Sequence, residues 1–169
     1  GYEGRVGGQA KVKILFVGHV PFVGGAQLCL ASHIKYLDRK KFASFLLIDK
    51  SSKHADIFKN SKVKIHKINF GKLKSLSALK NLNISLKEFS KVIEKINPDL
   101  VLANTTRALV VSSLAKKDFK LISYIRDYDY PKLLLKLLSK KIDKHITVSS
   151  SINNFYNLNS DIVFLGSDI

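Results

Sequence analysis

Along this chain, short apolar runs alternate with longer stretches in which apolar residues recur every three or four positions. Val12 to Val17 (Val-Lys-Ile-Leu-Phe-Val) is β-branched and almost continuously apolar, the pattern of a strand covered on both faces of a parallel sheet. The next stretch, 26–38, sets Ala26, Leu30, Ile34 and Leu37 on one side of a helix, with Gln27, Lys35 and Asp38 opposite. Residues 44–49 and 63–68 read as the second and third strands. Residues 83–97 give the clearest helix: Ser85 and Glu88 have the spacing of a capping box, and Leu86, Phe89, Ile93 and Ile96 form the apolar stripe. Asn97-Pro98 ends it. A fourth strand (99–103) is followed by a helix over about 105–117 that finishes in Lys116-Lys117, which suit its negative end. A fifth strand (120–125) precedes a leucine-rich helix that opens at Pro131 and ends near Lys141. His145 to Val148 and Ile162 to Leu165 are the last two strands, and Ser149 to Ser151 are placed to cap a short helix between them.

This alternation predicts an α/β fold, a doubly wound, Rossmann-like parallel sheet with ligands at the carboxyl ends of its strands. There is no internal repeat and no long linker. With 169 residues, 46% of them apolar, the chain is long enough for one well-filled core. No apolar run approaches the ~18–20 residues that span a bilayer, and the first residues lack a signal-peptide pattern. Methionine is absent and residues 1–10 are glycine-rich without periodicity, so 1–10 read as a processed leader and 11–169 as the domain. Cys29 is the single cysteine. An internal disulfide is therefore excluded, and a reducing compartment such as the cytoplasm is expected.

The net charge of +16 changes the picture less than its size suggests. The basic residues are 25 lysines against 4 arginines, not the arginine-rich signature of base or phosphate recognition. The aromatic residues are absorbed by the expected strands and helices, and no basic-aromatic stacking motif appears, which argues against a nucleic-acid-binding domain. The charge is asymmetric: residues 1–98 hold 19 basic and 6 acidic side chains, and 99–169 hold 10 and 7. A basic face of this kind suits an anionic membrane surface, which for a cytoplasmic domain is the inner face, or equally a solvated lysine-rich surface. Within the basic half, Phe70, Leu73, Leu76, Leu79 and Leu82 recur every third residue, interleaved with Lys72, Lys74 and Lys80. That pattern fits a short amphipathic element on a membrane or an ordinary surface helix.

The candidate chemistry sits at strand ends. Gly24-Gly25 follows the first strand and precedes the first helix, so backbone amides and a helix N-terminus converge where a phosphate or sugar-phosphate would bind. The loop is neither a P-loop nor a G-x-G-x-x-G turn. His19 lies just past the first strand, where a ligand would pass. His33, His54, His66 and His145 lack metal-ligand spacing, and Cys29 has no partner pattern.

Gly24-Gly25-Ala26-Gln27 resembles the Gly-Gly-Ala-Glu helix start of the group-1 retaining glycosyltransferases of the GT-B fold, with Gln27 in the Glu place. Four further stretches carry the same resemblance. Pro98-Asp99-Leu100-Val101-Leu102-Ala103 is similar to that family's Pro-Asp strand, and Asn104 and Thr105 stand where it often has His-x-His. Tyr124-Ile125-Arg126-Asp127 resembles the strand that ends in His-Asp, with Arg126 in place of the His. A guanidinium cannot act as a base at neutral pH but can hold a phosphate or carboxylate. Ile146-Thr147-Val148-Ser149 is similar to the family's hydrophobic-Val-Ser strand end, and Val163-Phe164-Leu165-Gly166-Ser167-Asp168 resembles the Asn-Gly-Val-Asp element that closes its N-terminal domain, with Leu165 in the Asn place. The resemblance spans nearly all of 12–169.

It implies the N-terminal, acceptor-side half of an enzyme that transfers a hexose from a nucleotide-sugar to a glycan or lipid-linked acceptor. No metal and no separate cofactor are implied, and a C-terminal domain of the same polypeptide would form the other wall of the cleft. Gly24, Gly25, Gln27, His19, Asn104, Thr105, Arg126, Asp127 and Ser149 are the candidate substrate-binding residues, and no catalytic residue is indicated. The alternatives are a stand-alone Rossmann-like or flavodoxin-like binding module and, prompted by the charge alone, a basic nucleic-acid-binding domain.

Overall fold

The computed structural model describes residues 10–18, 25–53, 55–71 and 77–163. Seven strands form one sheet: β1 (Val12–Val17), β2 (Phe42–Asp49), β3 (Lys64–Ile68), β4 (Leu100–Ala103), β5 (Lys120–Ile125), β6 (Lys144–Thr147) and β7 (Asp161–Ile162). Their order is β3-β2-β1-β4-β5-β6-β7 and every neighbouring pair is parallel. Helices α1 (Gly25–Tyr36), α2 (Ala78–Ile96), α3 (Thr106–Leu114), α4 (Lys132–Leu138) and α5 (Ser150–Tyr156) supply the crossovers except that from β2 to β3, which runs through a 3-10 helix. The winding reverses between β1 and β4, which opens a crevice at their carboxyl ends.

Alternate residues of the strands feed two separate cores, as the two-residue period of a strand requires. Ile14 and Phe16 of β1, with Leu46 and Ile48 of β2, pack under Leu30 and Ile34 of α1 and Phe58 of a short 3-10 helix, Ala55–Ser61. Leu15, Val17, Val101, Leu121 and Ile125 face the other way, against Phe89 and Ile93 of α2, Leu109 of α3, Leu135 of α4 and Ile152 of α5. Leu30 and Ile34 thus form the inward stripe expected of the first helix.

Helix α2 departs from its expected start. It begins at Ala78 rather than near Asn83, so Ser85 and Glu88 lie inside the helix and form no capping box. Both serve the β3–α2 connection instead. The Ser85 hydroxyl donates to the carbonyls of Asn69 (2.7 Å) and Asn81 (2.9 Å). Glu88 accepts from the Asn69 N–H (2.6 Å) and the Lys50 ammonium (2.9 Å). A loop leaving a sheet edge has backbone groups to satisfy, and these two side chains satisfy them. The helix ends where expected, at Asn97, which is left-handed and donates its N–H to the Ile93 carbonyl at 2.7 Å.

The stripe of every third residue from Phe70 to Leu82 does not form one face. Phe70 is buried in the core and Leu82 packs against it, whereas Leu79 is 84% exposed. Leu73, Leu76, Lys72 and Lys74 lie outside the described residues.

Acid should weaken this fold in two stages. Burial holds His33, His66 and His145 below the ordinary 6.5, aided by Arg126 at His33 and by Lys95 and Lys64 at His66. The unfolded chain therefore takes up these protons first, and stability falls as pH drops below about 6.5. At Glu88 and Asp143 burial acts in the opposite direction and raises the pKa. It is outweighed at Glu88 by the Asn69 N–H and Lys50, and at Asp143 by Lys116, the Leu121 N–H and Lys120, so both stay below their ordinary 4.5 and 3.8. Their contribution is complete above those values and is lost as pH falls through the lower folded ones. Thermal unfolding followed by circular dichroism should show Tm nearly level from pH 8 to 7, declining by pH 5.5, and declining further below pH 4. A Tm that rose on acidification would contradict this account.

Candidate functional site at the carboxyl edge of the sheet

The end of β1 and the end of β4 are tied to each other. Gly18 donates its N–H to Leu47 of β2 (3.0 Å), and Asn104 donates its N–H to Val17 of β1 (2.9 Å). This brings Gly18 and Asn104 side by side at the reversal point. A Cβ on Gly18 would lie 3.8 Å from the Asn104 side-chain nitrogen. Asn104 is only 4% exposed, and neither its amide oxygen nor its amide nitrogen has a hydrogen-bond partner among the described residues. A buried amide left in that state costs about 1–3 kcal/mol, so among the described residues the corner has an unmet demand for polar contacts.

Arg126, the first residue after β5, reaches across to this corner. Its Nη2 donates to the Asn104 carbonyl at 3.4 Å, and its guanidinium lies 5.4 Å from the centre of the Tyr124 ring. Half-buried and stacked, it is held in a defined position rather than left to swing in solvent. Thr105 and Ser149 share the edge, but their hydroxyls are engaged as helix caps. Thr105 Oγ1 accepts from Ala108 N–H of α3 and Ser149 Oγ from Ile152 N–H of α5, both at 3.2 Å. Asp127 is exposed and its carboxylate accepts the Asp129 N–H at 3.1 Å, a local turn before α4. Gly25 opens α1, whereas His19, Gly24 and the side chain of Gln27 lie outside the described residues. Of the candidates that are described, the fold brings Asn104 and Arg126 into contact and sets Thr105, Asp127 and Ser149 along the same edge.

Arg107 was not singled out from the sequence, yet it stands at this edge on the β2–β3 side. Its guanidinium donates to the carbonyl of Gly71, and burial lowers its pKa while nearby Asp49 raises it. Asp49 closes β2 and accepts from Phe70 N–H (2.9 Å), Ser51 N–H (2.8 Å) and the Ser51 hydroxyl (2.5 Å). One signal was available. Of only four arginines, two follow strand ends within four residues.

Behind the corner, on the α1 side, a cavity of about 400 Å³ is lined by Phe16, Leu30, His33, Leu102, Tyr124 and Ile146 among others. The His33 and Tyr124 rings meet edge to face at 5.7 Å. Burial and the neighbouring Cys29 push the Tyr124 hydroxyl well above its usual pKa. Cys29 is half-buried, in keeping with a near-core thiol. Among the described residues no three His, Cys, Asp or Glu side chains gather as a metal site would require.

The described sheet, parallel throughout and reversing at β1/β4, is a Rossmann-like fold. Several solved structures share it. The chain is similar to Anabaena HepE in complex with UDP, with a TM-score of 0.69 at 18% identity, over 93% of this chain and 45% of that one. It is similar to MurG of Acinetobacter baumannii at 0.65 and 10%, over 94% and 47%. It is also similar to the UDP-GlcNAc 2-epimerase of Neisseria meningitidis bound to UDP-GlcNAc, at 0.61 and 17%, over 91% and 46%. The chain thus spans a little under half the length of each. No protein-family profile matches it, and no curated protein sequence does.

Proposed function

We propose that this chain is one wall of the cleft of a retaining glycosyltransferase, acting in the cytoplasm to transfer a hexose from a nucleotide-sugar to a glycan or lipid-linked acceptor. The observation that carries the reading is the Asn104 amide, buried and without a partner among the described residues, beside Gly18 at the winding reversal, with Arg126 fixed against it. A guanidinium in that position suits a phosphate or carboxylate, which it can grip with two parallel hydrogen bonds. The Asn104 amide can both donate to and accept from a sugar hydroxyl. The N-termini of α1, α3 and α5 face the same edge and favour negative charge there. As the donor diphosphate departs, such fixed positive groups stabilise the charge it gains. UDP is present in the HepE structure and UDP-GlcNAc in the epimerase structure, and those chains are about twice as long, which supports a second domain of the same polypeptide as the opposite wall. Epimerases share the fold, but the Pro98-to-Asn104 and Tyr124-to-Asp127 stretches favour the transferase reading.

One wall buries little of a ligand and excludes little water. The chain alone should therefore bind UDP-sugars only at millimolar concentration and release no nucleoside diphosphate. Titration of ¹⁵N-labelled protein with UDP-glucose should move the amide signals of Gly18, Asn104 and Arg126, and glucose alone should not. Asn104→Leu removes the unmet amide at similar volume, so it should raise stability by about 1 kcal/mol and abolish that response. An undiminished response in the variant, or turnover by this chain, would show that the site lies elsewhere.

A further inference from the structure

Helix α4 carries more leucine than the domain uses. Leu135 and Leu138 are buried and Leu134 packs against the core, whereas Leu133 and Leu137, one turn apart, are 69% and 68% exposed. Lys132, Lys136, Lys140 and Lys141 are also exposed, and residues 130–142 contain no acidic side chain. The patch continues onto α5. Lys132 Nζ lies 3.9 Å from the centre of the Phe155 ring, and Phe155 meets Tyr128 edge to face at 4.9 Å. Phe155 and Tyr128 are themselves 44% and 50% exposed. Asp127 and Asp129, at the cleft end beside Tyr128, are the acidic margin.

We propose that this α4–α5 face docks on an anionic lipid bilayer, with Leu133, Leu137 and Phe155 entering the interfacial layer and the four lysines engaging acidic headgroups. The composition decides between occupants. The cores of protein–protein interfaces are depleted in lysine, whereas lysines interleaved with exposed leucines on one helix are the pattern of an interfacial helix, in which long stems let the charges reach the headgroups. Apolar insertion and basic attraction are both present, and stable attachment takes two such signals. This face is better suited than 70–82, where Phe70 and Leu82 are committed to the core. Helix α4 begins six residues after Arg126, at the carboxyl edge, so docking brings the cleft mouth close to the lipid surface. On the proposed function, that favours a lipid-linked acceptor; the docking itself does not depend on that reading.

The chain contains no tryptophan, so Leu137→Trp is an unambiguous reporter and Leu79→Trp a matched one on the other basic segment. With vesicles of equal parts phosphatidylcholine and phosphatidylglycerol, Leu137→Trp fluorescence should shift to the blue and be quenched by brominated acyl chains, and Leu79→Trp should do neither. Flotation of the double variant Leu133→Ser, Leu137→Ser should fall at least about tenfold. Its net charge is unchanged, so diffuse attraction of a +16 protein is held constant, and circular dichroism checks its fold. Emission of Leu137→Trp that ignores saturating vesicles, or flotation equal to the parent, overturns the proposal. So does a concentration-dependent dimer that the leucine replacements abolish, which would assign the face to a second copy. The UDP-glucose amide shifts are read without lipid, so either result leaves the nucleotide-sugar reading standing or falling on its own.

Discussion

Phe89→Ala should be the most damaging single truncation in this domain, lowering stability by about 3–5 kcal/mol. Phe89 is fully buried on α2 and meets Phe119 edge to face at 6.5 Å. Its side chain fills the space between α2 and the side of the sheet that carries Leu15, Val101 and Leu121. Truncation loses the transfer energy of the ring and the aromatic pair, and it leaves a cavity that a helix anchored at its middle and its C-terminal end cannot collapse onto. The anchors are Ser85 and Glu88 holding Asn69, and Asn97 closing the last turn. Each kcal/mol shifts Tm by roughly 2–4 °C at this chain length, so the variant should melt on the order of 10 °C below the parent. Leu79→Ala, at an exposed position of the same helix, should stay within about 0.5 kcal/mol. Equal losses at the two positions would mean that α2 is not packed as described.

Gly71→Ala should be nearly as costly, roughly 2–4 kcal/mol, because two penalties coincide. Gly71 is left-handed at φ 64°, which disfavours any side chain. A Cβ there would also come within 2.6 Å of the Asn81 Cβ, on the first turns of α2. Backbone must move to relieve that contact, and the carbonyl that moves is the one Arg107 holds. The variant should therefore shift the Arg107 amide signal as well as lower the urea midpoint. A stability within error of the parent would show that the β3–α2 connection adopts another backbone path.

Much of the architecture was legible in the sequence because strands buried on both faces write near-continuous apolar runs. Val12 to Val17 and Lys120 to Ile125 have the boundaries expected of them, and the order of elements is as read. The start of α2 was not legible. Serine and glutamate three apart satisfy loop amides in the same way whether those amides belong to their own helix or to a distant connection, and only the fold supplies Asn69 as the partner. The 3-10 helix Ala55–Ser61 escaped notice because it is short and lysine-flanked, with one fully buried apolar residue, Phe58, and Ala55 and Ile57 packed beside it. Along the carboxyl edge, Asn104 and Arg126 were read from the resemblance, at the places where that family has His-x-His and His-Asp, and the fold sets the two in contact. Arg107 was not, because it lies in the first turn of a helix, and its closeness to the end of β4 was the single signal for it.

The register Ile14↔Leu100 joins β1 to a strand some eighty-six positions later and has a consequence for the chain as it is made. Until Ala103 has emerged from the ribosome, β1 can pair only with β2. The hydrogen-bonding edge of β1 that β4 will cover then has no strand to meet. Elongation at roughly 5–20 residues per second leaves this half-sheet waiting for seconds. Parallel pairings across so long a separation are slow to close even when both strands are present. The yield of the domain in a cell should accordingly respond more to holdase supply and to translation pauses before residue 100 than to changes later in the chain.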